Sequence, residues 1–419
     1  MQKFVICGGR KLEGTLKVES AKNAVLPIIA ASILTDKEVK ICDIPHIVDV
    51  YKMFDILTAM GSKVKVEGND AIIDNSTITK FEIPHSLAKD IRSSIFMLGP
   101  LIAKYKQARV AYPGGCDIGS RPIDLHLAGL RELGVEICEE HGFINCYATN
   151  LIPAIVHLDY PSVGATENIM MASVFSKGKT TILNAAKEPE IVDLANFINS
   201  IGGKIYGAGS STIEVYGVKE LSGGSYLPIS DRIIAGTYLI ACTMTGGKLT
   251  LSNTNYEHVF SLINKLRNSG CNILLEHDKI HIEANSRPIA SSSIETQPYP
   301  GFPTDLQAQF MALQTISDGM CVITENLFET RFKHVPELLK LGAKITIRDR
   351  MAIVRGVNKL CGAEVNATDL RGGASLVLAG LVAKGTTEVL NVEYVDRGYF
   401  QLENKLASVG AEIKREVIC

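Results

Sequence analysis

The chain contains no tryptophan and almost no net charge, with 43 Lys and Arg residues against 45 Asp and Glu residues. Without a basic excess, neither nucleic acid nor a membrane surface is expected as a partner. Ten cysteines are scattered singly, with no C-x-x-C pair and no His/Cys cluster at zinc spacing, so no metal is expected. Contexts such as Ile6-Cys7, Ile41-Cys42 and Ala241-Cys242 read as small core residues in a reducing compartment. The opening MQKFVICGGRKLEG lacks the apolar run of a signal peptide. The apolar stretch Ala24 to Leu34 contains Pro27 and is too short to span a bilayer. There is neither a P-loop nor a Gly-x-Gly-x-x-Gly, so no nucleotide cofactor is called for. These absences, with 46% hydrophobic and 21% charged residues, predict a cytoplasmic globular protein that works without a cofactor.

What is present is a repeat. An amphipathic helix, an apolar residue, a glycine and a short strand recur as ILTAMGSKVKV, LRELGVEI, INSIGGKI, KLRNSGCNI, LLKLGAKI and LASVGAEI. The glycines are Gly61, Gly134, Gly202, Gly270, Gly342 and Gly410, separated by 73, 68, 68, 72 and 68 residues. A glycine after the last helical residue is the common left-handed C-cap, and a fixed period along a chain marks duplicated units. Between these glycines lies a second helix, less polar all round, as in ENIMMASVFSKGKTTI and DLRGGASLVLAGLVAKGTTEV. Helices apolar on every side belong in an interior. Each unit therefore reads as strand, buried helix, strand, exposed helix, two strands (βαβαββ). Six such units predict an α/β protein of two domains, three units in each with threefold pseudo-symmetry. The cut is expected near 229, where SGGSYLP (222–228) reads as a linker. The domains would be 22–229 and, discontinuously, 1–21 with 230–419, because Phe4 to Ile6 can join the last triplet.

Two features of this frame suggest chemistry. The run from Tyr112 to His126, YPGGCDIGSRPIDLH, brackets Cys116 with glycines and proline, which makes a mobile, tightly turning loop. Ser120-Arg121-Pro122 then starts a helix. A thiol beside a guanidinium and the positive end of a helix dipole favours thiolate and an anionic ligand, so Cys116 reads as reactive. Secondly, Lys22, Arg92, Glu167, Arg232, Asp305 and Arg371 fall at the starts of the buried helices. Arg121, Arg331 and Arg397 fall at the starts of exposed ones. Arginine in a first helical turn opposes the dipole, so its recurrence there points to a basic site for a multiply charged anion. Asp305, in YPGFPTDLQAQF, is the odd residue of that set. It can pair with arginine, cap its helix or take a proton from a hydroxyl.

On these residues and on GGRKLEGTLKVESAKNAVLP, PGGCDIGSRPIDLH, YPSVGATENIMMASV, AAKEPEIVDLANF, TENLFETRFKHVPEL and DRGYFQLENKL, the chain resembles the UDP-N-acetylglucosamine enolpyruvyl transferases. The resemblance runs almost end to end. It implies two inside-out α/β barrel domains with the active site in the cleft between them. The implied substrates are phosphoenolpyruvate and UDP-N-acetylglucosamine, with transfer of enolpyruvyl to the sugar's 3-hydroxyl and release of phosphate. Lys22, Asn23, Arg121, Arg331, Arg371 and Arg397 would bind phosphoenolpyruvate. Asn23, Arg92, Arg121, Pro122, Ile123, Asp124, Leu125, Ser162, Val163, Gly164, Asp305, Leu327 and Phe328 would bind the sugar nucleotide. Asp305 would take the hydroxyl proton, while Cys116, with Lys22 beside it, would deliver a proton to C3 of phosphoenolpyruvate. The family cysteine is also the target of the epoxide fosfomycin, an expected covalent inhibitor. Glu188 and Glu190 are adequately explained as charges at a helix start. Two departures stand out: Asp117 follows the cysteine where a small or neutral residue is usual, and Tyr160 replaces a basic residue found in some members. Two other readings remain: an enolpyruvyl transferase with a different acceptor, and a non-catalytic sugar-nucleotide-binding paralogue.

Overall fold

The computed structural model describes residues 2–112 and 123–417. Their contacts divide them into two compact units: residues 20–229 form one, and residues 2–19 with 230–417 form the other.

In the 20–229 unit, three apolar helical segments lie inside: Lys22–Ala31, Leu98–Tyr105 and Val163–Ser173. From Ala24 to Ala31 every residue of the first is buried, proline included. Each fully buried Leu, Ile or Val contributes about 1.5–3 kcal/mol, so helices apolar on all sides have no stable position except the centre. Three amphipathic helices, Val48–Met60, Asp124–Glu132 and Pro189–Ser200, alternate with them along the chain. The other unit repeats the plan. Arg232–Thr245, Gln307–Ile316 and Leu370–Val382 pack against one another inside, and Phe260–Asn268, Val335–Lys340 and Leu402–Ser408 are the amphipathic partners. The six repeat glycines have φ of 112°, 83°, 108°, 99°, 90° and 103° in chain order, the left-handed conformation expected of them.

The strands follow one rule in all six repeats. The strand after the buried helix pairs antiparallel with the second strand of a hairpin and, on its other edge, parallel with another segment, which is a strand in five repeats and the single bridge Glu82–Arg109 in the second. Lys248–Ser252, for example, pairs with Lys279–Glu283 on one side and Glu13–Lys17 on the other. In the sixth repeat the second hairpin strand comes from the other end of the chain. Gln2–Cys7 lies between Thr386–Leu390 and Glu412–Val417, antiparallel to both.

One expectation changes here. Residues 222–228 are not a free linker, because Gly224–Tyr226 pairs in register with Val39–Ile41 as the parallel edge strand of its sheet. Its conformation is set by that ladder and by the Tyr226 hydroxyl, which donates to Asp193 at 2.7 Å. Among the described residues each unit has three separate sheets of three or four strands around its buried helices, in keeping with the expected inside-out α/β plan.

Candidate active site

Three of the expected residues converge in the 230–417 unit. Asp305 lies in the short 3₁₀ turn Thr304–Leu306 that leads into Gln307–Ile316. Its Oδ1 accepts from Arg331 Nη2 at 2.9 Å and its Oδ2 from Arg371 Nη2 at 2.9 Å. The arginine side chains are only 3% and 4% exposed, whereas Asp305 is 29% exposed and so faces outward between them. Burial opposes ionisation of Asp305, but the charges of Arg371 and Arg331, the Arg371 hydrogen bond and the charge of Arg232 outweigh it. The carboxyl is held well below its ordinary range. Arg331 Nε and Arg371 Nη1 are buried with no hydrogen-bond partner among the described residues. Buried guanidinium N–H groups without acceptors are costly, and an incoming anion is the natural partner for them.

Around this clamp the other expected residues take distinct places. Phe328 stands with its ring 5.8 Å from the Arg331 guanidinium, and Arg371 lies over the Tyr399 ring at 5.5 Å. Arg397 directly follows the short helix Glu393–Asp396, two residues before Tyr399, and is half-buried. The unfavourable placing of arginine at helix starts has a local remedy. Asp369 accepts from the backbone N–H of Arg371 and Gly372, both at 3.0 Å, and Asp231 caps the helix starting at Arg232 in the same way. Arg331 is not in a helical first turn at all but in the turn before Val335–Lys340.

The 20–229 unit holds the remaining positions. Lys22 opens its helix and pairs with Asp49 at 2.7 Å, with side chains 12% and 5% exposed. Asn23 is exposed beside it. Arg92 opens the 3₁₀ segment Arg92–Met97 and is half-buried. Ser162 caps Val163–Ser173 by accepting from Ala165 N–H. Gly164 sits directly against His126, where a Cβ would fall 2.8 Å from the imidazole Cε1. His126 Nδ1 in turn lies 2.8 Å from Asn168 Nδ2, and Asn168 also bonds Ile95 O and Gly99 N. Asn168 and His126 thus lock together the segments carrying Arg92, Ser162 to Gly164, and Ile123 to Leu125. Glu167 is not at a helix start: it lies a turn further in, fully buried, where burial and then the charges of Glu190 and Glu188 push its carboxyl well above the ordinary range. Cys116, Arg121 and Pro122, with Asp117, lie outside the described residues.

Sequence reasoning missed Asp49, Asp231, Asp369 and His334. The caps had a usable signal, a T-D-L-R or S-D-R run before an apolar helix. His334 had none. It is completely buried next to Arg331, and its imidazole is pushed down to about 4 by burial first and by Arg331, with Asp369 opposing. Among the described residues no cluster of three His, Cys, Asp or Glu is placed to hold a metal ion, and no helix is long and apolar enough to cross a membrane.

A family model described as EPSP synthase (3-phosphoshikimate 1-carboxyvinyltransferase) matches residues 6–406. UDP-N-acetylglucosamine 1-carboxyvinyltransferase 2 of Caldanaerobacter subterraneus subsp. tengcongensis is 51% identical, over 99% of this chain and 100% of that protein. The chain belongs to the UDP-N-acetylglucosamine 1-carboxyvinyltransferase family. A Geobacter metallireducens protein of the same name is 46% identical over 99% of both chains. Among solved structures, the enolpyruvyl transferase NikO from Streptomyces tendae superposes with a TM-score of 0.89 at 23% identity, covering 99% of this chain and 98% of that one. EPSP synthase from Acinetobacter baumannii follows at 0.78 and 16%, covering both chains completely. At those identities the structures establish the shared fold, while membership of the sugar-nucleotide branch rests on the close relatives.

Proposed function

We propose that this chain transfers the enolpyruvyl group of phosphoenolpyruvate to the 3-hydroxyl of UDP-N-acetylglucosamine, releasing phosphate, as the committed cytoplasmic step of peptidoglycan synthesis. The observation that carries this reading is the 51% identity over 99% of the chain to a relative named for that reaction. The clamp on Asp305 supports it chemically. Adding an alcohol across C2=C3 of phosphoenolpyruvate places its oxygen on C2 and a proton on C3, giving a tetrahedral ketal. Loss of a C3 proton and of phosphate from C2 then restores the double bond. Charge develops on C2 and on the departing phosphate, and fixed cations are the groups that stabilise it.

Asp305 takes the hydroxyl proton. Paired with two arginines it is a weak base, so the reading includes a handover: the anionic substrate draws Arg371 and Arg331 toward itself and restores basicity to Asp305 as it binds. Lys22 stays cationic beside Asp49 and neutralises the substrate's negative charge. Cys116 supplies the C3 proton and is the group an epoxide such as fosfomycin alkylates. Lys22 stands on the 20–229 unit and Asp305 on the other. The test is phosphate release from phosphoenolpyruvate. UDP-N-acetylglucosamine as acceptor is expected to give turnover, and shikimate 3-phosphate none. Cys116→Ser is expected to lose labelling by fosfomycin. Turnover with shikimate 3-phosphate alone would transfer the chain to the other acceptor, and retained labelling would remove Cys116 as the reactive thiol.

A further inference from the structure

Glu325 is 1% exposed and forms no ion pair among the described residues, yet it gathers four hydrogen bonds. Its Oε1 accepts from Thr296 Oγ1 at 2.8 Å, Leu327 N at 2.9 Å and Phe328 N at 3.2 Å. Its Oε2 accepts from Thr304 Oγ1 at 2.9 Å. A buried carboxylate with no cation is expensive, and here only neutral donors offset that cost. The cluster extends on both sides. Thr296 Oγ1 accepts from Asn326 N at 2.9 Å, fixing the turn that carries Leu327 and Phe328. The carbonyl of Thr304 accepts from Arg331 Nη2 at 3.2 Å, the same nitrogen that holds Asp305. One oxygen of Glu325 therefore holds the Leu327–Phe328 turn, and the other holds the residue immediately before Asp305.

We infer that Glu325 is a positioning residue, which couples the turn expected to meet the sugar nucleotide to the placement of the Asp305 carboxylate. The inference rests on the proposed roles of Asp305 and of Leu327 and Phe328. A single rigid anchor makes the two interdependent: nucleotide contact at the turn and base geometry at Asp305 are set by the same buried group. Glutamine is a partial substitute. Its one oxygen can accept from the turn while its amide donates to Thr304 Oγ1, reversing that hydroxyl, but it cannot take three donors as the carboxylate does. Alanine removes both arms and leaves the Leu327 and Phe328 N–H groups without their acceptor.

The test is steady-state phosphate release by the full-length protein with both substrates, alongside amide exchange at Leu327 and Phe328. Glu325→Ala is expected to raise KM for UDP-N-acetylglucosamine and to lower kcat, each by about 10- to 100-fold, with faster exchange at both amides. Glu325→Gln is expected to recover most of both losses. Thr304→Val severs only the arm to Asp305, so it is expected to lower kcat about tenfold with KM for the nucleotide sugar unchanged. That variant keeps the test open if Glu325→Ala does not fold. Wild-type kinetics in Glu325→Ala, or a Thr304→Val variant with unchanged kcat, would overturn the coupling. Asp305→Ala run in parallel separates the two levels. If it turns over normally, the placement of the base fails and this proposal fails with it. If it is inactive while Glu325→Ala is normal, this proposal fails alone.

Discussion

A carboxylate held by two guanidinium groups is always ionised and only weakly basic, and Asp305 is in that condition before any substrate arrives. Its depressed value means that protonation of Asp305 in the free enzyme does not produce an acid limb in kcat/KM above about pH 5. The same depression has a consequence for stability. The contribution of Asp305 is fully present above its unfolded value near 3.8 and is lost as pH falls toward its lower folded value. Asp305→Asn keeps the shape and removes the charge. It is expected to lower kcat by about 10²- to 10⁴-fold in the phosphate-release assay, with wild-type kcat ruling out the general-base role. Asp305 and Arg371 were visible in the sequence because each sits in a polar run just ahead of an apolar helix. Asp49 and Glu325 were not, because each meets its partners across elements distant in the chain. Asp49 reads as an ordinary first-turn acid, and Glu325 as the end of a strand. Nothing local in the sequence marks a residue whose role depends on what packs beside it.

Among the elements, the helices and their glycine stops were legible from period alone, and onsets such as Lys22 and Arg232 were too, whereas others were not. Arg92 and Asp305 both lie in 3₁₀ turns ahead of the α-helix proper, and the 3.6-residue pattern gives no sign of that tighter turn. Residues 222–228 misread as linker for a related reason: a three-residue parallel edge strand is too short to show alternation. That strand is fastened by Asp193 on the helix Pro189–Ser200, which accepts from Tyr226 Oη at 2.7 Å and Ile229 N at 3.1 Å. Burial pushes the Asp193 carboxyl up to about 6, against those two hydrogen bonds and with Glu190 adding to the rise. The sign follows from linkage. Below the unfolded value near 3.8 the raised pKa costs nothing, and as pH climbs through about 6 the unfolded chain gains a charge that the folded one resists. Folding should therefore lose roughly 3 kcal/mol between pH 4 and pH 7 through this residue. Asp193→Asn is expected to flatten that part of the profile, so that urea midpoints of wild type and variant lie close at pH 4 and separate toward pH 7, where the variant is the more stable. An unchanged difference between the two pH values would place the charge elsewhere.

At the scale of the whole molecule, six repeats written in a line leave one sheet unfinished, and the chain closes it with its own beginning. Glu412–Val417 is the last strand among the described residues, and Gln2–Cys7 takes the second hairpin place between it and Thr386–Leu390. Phe4 and Ile6 point inward and are fully buried, with Arg415 stacked 4.8 Å from the Phe4 ring. Those two side chains together contribute roughly 3–6 kcal/mol, a large part of the 5–15 kcal/mol typical of a folded domain. Their loss would also leave two strands without a shared partner, and unpaired backbone groups at a sheet centre add to the cost. A chain lacking residues 2–7 is therefore expected to lose the fold of residues 230–417 while residues 20–229 stay folded, since that unit draws none of its strands from the N-terminus. Amide exchange separates the outcomes. Protection should vanish across Thr386–Leu390, Glu412–Val417 and the buried helix Leu370–Val382, and persist in Lys179–Leu183 and Val163–Ser173. Cooperative loss in both units would mean that they fold as one. Undiminished protection in the shortened chain would mean that the sheet is stable without its closing strand.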